Sequence, residues 1–150
     1  MKALVQRVSE ASVTIDGLIH SRISKGLVVL LGIDIKDSNE DADWLCQKLI
    51  GLRIFSDENG LMNQSIMDVQ GELLLVSQFT LIASYKKGNR PSFIHAARPE
   101  QAIPLYQYCI EQLTALLGKL IATGVFGADM QVALVNDGPV TLLLDTHNKE

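Results

Sequence analysis

The chain has 150 residues, 47% of them hydrophobic and 20% charged, with 13 Lys and Arg against 17 Asp and Glu for a formal net charge of −4. That length suits one domain, residues 1–150, whose core needs no disulfide or metal staple, and the composition excludes a disordered or low-complexity chain. As a whole-chain sum, −4 argues against a nucleic-acid binder, because phosphate contacts normally show as excess positive charge.

Residues 2–8 (KALVQRV) and 12–15 (SVTI) are rich in β-branched side chains and predict strands. Asp16-Gly17 is a strong hairpin signal, and 18–23 would be the returning strand. The unbroken apolar run 27–33 (LVVLLGI) suits a strand buried on both faces. Ser38, with Asp41 three residues on, predicts a capped helix over 39–51, with Ala42, Leu45, Leu49 and Leu52 on its apolar face. A short strand at 53–55, a turn at 56–60 and a second buried strand at 72–78 (ELLLVSQ) follow.

Residues 83–98 read as irregular. A second helix starts after Pro99, with Ile103, Tyr106, Ile110, Leu113 and Leu117 as its stripe; Pro104 is tolerable only in its first turn or as a kink. Strands at 130–135 and 140–145 close the chain, joined by Asn136-Asp137-Gly138-Pro139. Two helices are too few to cross over between all these strands, so the expected fold is α/β with mixed sheets.

Cys46 and Cys109 lie far apart in apolar, helix-like stretches and read as small buried side chains in a reducing compartment. His20, His95 and His147 show no ligand spacing, so neither a metal nor another cofactor is expected. The apolar runs are too short to span a membrane, and Gln6 and Arg7 interrupt the first one before a signal-peptide core can form. A cytoplasmic protein is expected.

Four stretches could carry chemistry. Ser77-Gln78-Phe79-Thr80 places two hydroxyls and an amide where a buried strand emerges, a usual place for α/β sites, although ordinary strand ends look similar. A hydroxyl nucleophile needs a base, and no histidine is adjacent in a triad-like motif. If this stretch hydrolyses anything, the substrate is an already reactive ester, for which orientation and backbone donors suffice. Asn136 to Thr141 (NDGPVT) is either a tight connection or a rigid backbone projection. The segment 81–99 holds four of the 13 basic residues, Lys86, Lys87 and Arg90 among them, and no acid; it carries +4 and the rest of the chain −8. Such a loop could hold a phosphate backbone or could simply be solvated. Phe126 and Met130 could line an apolar pocket or pack in the core. Arg7 in an apolar strand needs a partner, either a carboxylate, with Asp145 and Asp129 as candidates, or a set of backbone carbonyls.

Taken together, VQRVSEASVTIDG (Val5 to Gly17), GLVVLLGI, DADWL, SQFTL (Ser77 to Leu81), KKGNRPSF and FGADMQVALVNDGPVTLLLD (Phe126 to Asp145) resemble the D-aminoacyl-tRNA deacylase family over essentially the whole chain. Each word alone is weak; SQFTL followed by NDGPVT is a specific pair. Ile82 to Tyr85 departs from the aromatic-small-acidic-polar run usual there, which bears on loop detail.

The resemblance implies a cytoplasmic homodimer of compact α/β/β layers, packed sheet against sheet. Such an enzyme hydrolyses the ester of a D-amino acid, or of glycine, at the 3′ end of tRNA. It implies that Gly138-Pro139 is a Gly-cisPro element entering the partner subunit's site, where its carbonyls face the α-ammonium and an L side chain collides with backbone. Arg7 would orient that element. Ser77, Gln78, Phe79 and Thr80 would form the facing wall, with Thr80 as nucleophile or with backbone N–H groups and the terminal 2′-hydroxyl doing the chemistry. Phe126 and Met130 would surround the terminal adenosine. Lys86, Lys87 and Arg90 would carry the tRNA contact. Two other readings are a deacylase for another mischarged tRNA, such as an L-alanyl ester, and a non-catalytic tRNA-binding module.

Overall fold

The computed structural model describes all 150 residues. Strand β1 (Lys2–Ile15) turns through Asp16 and Gly17, both at positive φ, into β2 (Leu18–Ile23), and β3 (Gly26–Gly32) continues back along the same edge of β1. Helix α1 (Asn39–Gly51), the short pair β4 (Phe55–Ser56) and β5 (Met62–Gln64), and strand β6 (Glu72–Ser77) follow. A 3₁₀ turn (Phe79–Ile82) and an irregular loop lead to helix α2 (Pro99–Leu117), then β7 (Ala122–Thr123) and β8 (Gln131–Asp145). The main sheet runs β2-β1-β3-β6-β7, with β8 on the other edge of β1. β3, β6 and β7 are mutually parallel neighbours and the β1 pairings are antiparallel, so the sheet is mixed, as expected.

The residues expected as two strands, 2–8 and 12–15, form one strand with a bulge. Pairing with β8 shifts register around Val8 to Glu10, and the bulge reverses which residues face which side. Ala3 and Val5 face the helices, whereas Ala11 and Val13 join the second core. The first core lies between the sheet and the two helices. The second (Val8, Ala11, Val13, Ile23, Val28, Leu74, Val76) lies where β1 and β2 curl over β6, and there Ser21 Oγ donates to Thr123 O at 2.9 Å. The layers are therefore α/β/β.

Helix α1 begins as its cap predicts: Asp41 Oδ2 accepts from the Ser38 N–H at 3.0 Å and hydroxyl at 3.1 Å. In α2 the buried stripe is Ala102, Leu105, Tyr106, Cys109, Leu113 and Leu117, and Ile103 faces solvent. The expected stripe was one residue out of phase at its start. Pro104 sits beyond the first turn of α2, on its exposed side, and the helix continues through it. The expected strand 53–55 falls at 55–56, while β5 and β7 were missed; three and two residues are too short for any period to show. Cys46 and Cys109 are free and buried, with the Cys46 thiol facing the Cys109 carbonyl oxygen at 3.8 Å. The neighbouring Cys109 thiol, and then burial, push the Cys46 thiol up. No helix is long and apolar enough to cross a membrane.

Candidate active site

β6 ends at Ser77, and the chain turns sharply because Gln78 N–H donates to Leu31 O at 2.7 Å while Gln78 O accepts from Leu81 N–H at 3.2 Å. Gly32 makes this closeness possible: a Cβ there would lie 2.9 Å from Leu81 Cβ and 3.0 Å from Gln78 O. Phe79 and Thr80 open the 3₁₀ turn, so their N–H groups have no acceptor within it. The Gln78 carboxamide donates to Thr80 Oγ1. Phe79 is 55% exposed and meets Phe93 edge-on at 5.0 Å, which ties the loop after the turn to this wall.

The opposite wall is the turn between β7 and β8. Val125 N–H points at Met130 Sδ (3.4 Å), and Gly124 leaves room for that sulfur, which would lie 2.5 Å from any added Cβ. Between the walls is a cavity of about 320 Å³. Ser77, Gln78, Phe79, Phe126 and Met130 all line it; Thr80 stands beside it in the turn. Leu31, Ile33, Val76, Ala97, Ala102 and Val132 add an apolar lining whose members no spacing in the sequence joins into one site, because β3, β6, the segment before α2, α2 and β8 are brought together only by the fold. The lining contains no histidine, and its one ionisable side chain is Asp129.

Asn136 to Thr141 lies elsewhere and is not the inter-strand connection that its composition suggests. β8 is continuous from 131 to 145, and the segment bulges out of it: Gln6 pairs with Thr141 and Val8 with Asn136, so only Arg7 stands opposite the intervening residues. Asn136 closes the base of this projection, with Nδ2 donating to Thr141 Oγ1 (2.8 Å) and Oδ1 accepting from Val140 N–H (3.0 Å). The Gly138-Pro139 peptide bond is cis, and both residues are exposed.

Arg7 is 9% exposed. Its Nε donates to Asp137 O at 3.0 Å, its Nη1 donates to Ile54 O at 2.7 Å, and Asp137 Oδ2 lies 3.4 Å from Nε. The backbone-carbonyl expectation therefore holds, while the carboxylate is Asp137 and neither Asp145 nor Asp129. Asp137 is the local choice because it sits on the projection that Arg7 faces. Lys86, Lys87 and Arg90 are all exposed on the loop between the 3₁₀ turn and α2, where Ser84 and Ser92 bridge its two arms.

One cluster escaped the sequence reading. Asp37, Asp41 and His147 converge, but the Met1 ammonium stands among them, donating to Asp37 Oδ1 and, at 2.6 Å, to Thr146 Oγ1; His147 Nε2 is 2.7 Å from Asp37 Oδ1.

The model of the family described as D-Tyr-tRNA(Tyr) deacylase matches residues 4–145. A D-aminoacyl-tRNA deacylase of Bacteroides fragilis (strain YCH46) is 59% identical over 100% of both chains. Among solved structures, a protein named c-Myc DNA Unwinding Element Binding Protein superposes with a TM-score of 0.92 at 47% identity, covering 97% of this chain and 98% of its own. A second, described as a "probable eukaryotic D-amino acid tRNA deacylase", has a TM-score of 0.80 at 15% identity over 95% and 97%, and shares the fold. By sequence, over nearly its whole length, the chain belongs to the D-Tyr-tRNA(Tyr) deacylase family.

Proposed function

We propose that residues 1–150 act as one catalytic unit, which hydrolyses the ester between a D-amino acid, or glycine, and the 3′ end of tRNA in the cytoplasm. One observation carries this reading: in a chain of the deacylase family, the separate words SQFTL and FGADM converge on a single cavity. Its apolar wall with Phe126 and Met130 suits the terminal adenosine, and the strand end with Ser77 to Thr80 suits the ester. The chain needs no metal or other cofactor for this chemistry.

The free N–H groups of Phe79 and Thr80 polarise the ester carbonyl and receive its developing negative charge. The 2′-hydroxyl of the terminal ribose assists. Thr80 is not the nucleophile in this reading, because the cavity offers no histidine to take its proton.

Selectivity comes from Gly138 and Pro139 of a second subunit. Two features support that placement. The projection and the cavity share no residue within one chain, and β8 leaves Val135 and Leu143 51% and 59% exposed on an edge strand, apolar surface that a sheet-on-sheet homodimer would cover. Backbone carbonyls of the inserted projection meet the α-ammonium, and an L side chain collides with them. Glycine has no side chain to reject.

The test incubates the protein with D-tyrosyl-, L-tyrosyl-, glycyl- and L-alanyl-tRNA and follows ester loss, with light scattering for the mass in solution. Rapid loss of only the D-tyrosyl and glycyl esters by a dimer is expected. Binding without turnover, or turnover of L-alanyl-tRNA, refutes the reading.

A further inference from the structure

We propose that Tyr106 is a positioning residue: from behind the cavity it sets the spacing of the two walls and so the affinity for the substrate's terminal nucleoside. The inference rests on the reading that Phe126 and Met130 hold that nucleoside. Tyr106 does not itself line the cavity. It projects from α2 into the core, 5% exposed, and its hydroxyl donates to the Leu75 carbonyl at 2.9 Å. Leu75 lies two residues before Ser77 on β6. The same carbonyl accepts from Gly124 N–H at 3.1 Å, and Gly124 begins the turn that carries Phe126 and Met130. The Tyr106 ring meets the Phe126 ring at 5.9 Å with a 55° tilt. One side chain thus touches the backbone of one wall and the aromatic side chain of the other.

The hydroxyl is not what keeps Leu75 satisfied, since Gly124 already serves that carbonyl; what it adds is a fixed distance between α2, β6 and Phe126. Burial, helped by Cys109, pushes the hydroxyl up to about 12, so it remains a protonated donor wherever an ester is stable. A phenylalanine would fill the same space without the tether. The consequence belongs to binding, because Phe126 stands at the nucleoside end of the cavity and the ester lies at the Ser77 to Thr80 end.

The experiment compares wild type with Tyr106→Phe on D-tyrosyl-tRNA, and measures inhibition by AMP. Losing one buried hydrogen bond predicts a KM and an AMP inhibition constant raised about 3- to 10-fold, with kcat within about twofold. A merely structural role predicts instead a fall in kcat, from a smaller folded fraction, at constant KM. Phe126→Leu supplies the second check: because Tyr106 acts through Phe126, the KM effects of Y106F and F126L must fall well short of adding in the double variant. Unchanged KM, loss confined to kcat, or full additivity overturns the proposal. If Y106F is insoluble, 3-fluorotyrosine at position 106 alone keeps the ring and hydroxyl and alters donor strength; KM must still move while kcat stays. AMP separates the two levels. If wild type deacylates and AMP fails to compete, the nucleoside reading falls and this proposal with it. If AMP competes equally against wild type and Y106F, only the Tyr106 proposal falls.

Discussion

β6 and β8 carry similar apolar runs, ELLLVS and VTLLLD, and the fold treats them in opposite ways. β6 lies between β3 and β7, with helices on one face and the curl of β1 and β2 on the other, so Leu73 to Val76 are all buried. β8 hangs on β1 by one edge, and much of it is exposed. The central strand ends in a cavity; the edge strand throws out a projection. A recess must be walled by long-range contacts, and β6 has them. A projection needs one firm anchor and free space around it, and β8 has Arg7 and an open edge. The two halves of the proposed site are therefore built by different physics, and variants should separate them.

The largest effect is expected from Gly138→Ala. Gly138 has φ of +133°, and an added Cβ would lie 2.9 Å from Val140 Cγ2 and 3.0 Å from Arg7 Nη2. The projection must shift while β6 and its cavity are untouched. D-tyrosyl-tRNA deacylation should fall by about 100-fold with AMP inhibition unchanged; weakened AMP inhibition would show that the two regions are not separate. Arg7→Leu removes the anchor and leaves Ile54 O buried without its donor. It should cost about 1–3 kcal/mol in urea unfolding and lower the ratio of D- to L-tyrosyl hydrolysis. A stable variant with that ratio intact would break the assignment of Arg7 to the projection.

Changing Lys86, Lys87 and Arg90 to Gln probes the cavity side. Tyrosyl-tRNA affinity should fall about tenfold, and the slope of log affinity against log salt should drop by about 2 for a single-stranded end, with D/L choice preserved. Altered choice at unchanged affinity would reverse the placement. Thr80→Ala should cost less than about tenfold in kcat, below the 10²–10³ typical of losing an oxyanion donor, since the backbone N–H groups remain. A collapse by orders of magnitude in a folded protein would make Thr80 the nucleophile.

The smallest effect lies far from both regions. Partial burial pushes Asp41 up, but hydrogen bonds from Ser38 N–H, the Thr146 hydroxyl and the Ser38 hydroxyl, with the Met1 ammonium, together hold it below its ordinary value of 3.8. The unfolded chain therefore takes up this proton first as pH falls. The stability from Asp41 is complete above about pH 4 and is lost below it. Asp41→Asn should thus differ from wild type in urea midpoint at pH 7 and converge with it in acid; a constant difference would refute the linkage.

Much of the cavity's machinery was legible because its signals are local. A polar word after ELLLV marks a buried strand emerging, and Ser38 with Asp41 marks a helix start. What misled were signals with two solutions. Asn-Asp-Gly-Pro reads as a turn between strands, but β1 runs on past it and pairs with both sides, which makes it a bulge. Ile103 looks like core by type, yet the packing of α2 selects the stripe through Ala102. Arg7 announced its need for a partner without naming one, because Asp137 and Ile54 reach it only through sheet pairing and the β4 loop.

The sequence by itself determined the family, the order of the main elements, the capped first helix, the hairpin at Asp16-Gly17 and, as candidates, Ser77, Gln78, Phe79, Phe126 and Met130 of the cavity. These follow from short-range periodicity, turn chemistry and distinctive words. Only the tertiary structure decided which apolar strand is buried and which is left open. It also decided that β1 and β8 are single bent strands, that Asp137 pairs with Arg7, and that Tyr106 bridges the two cavity walls. Each of these depends on contacts between residues far apart in the chain, whose geometry no local pattern encodes.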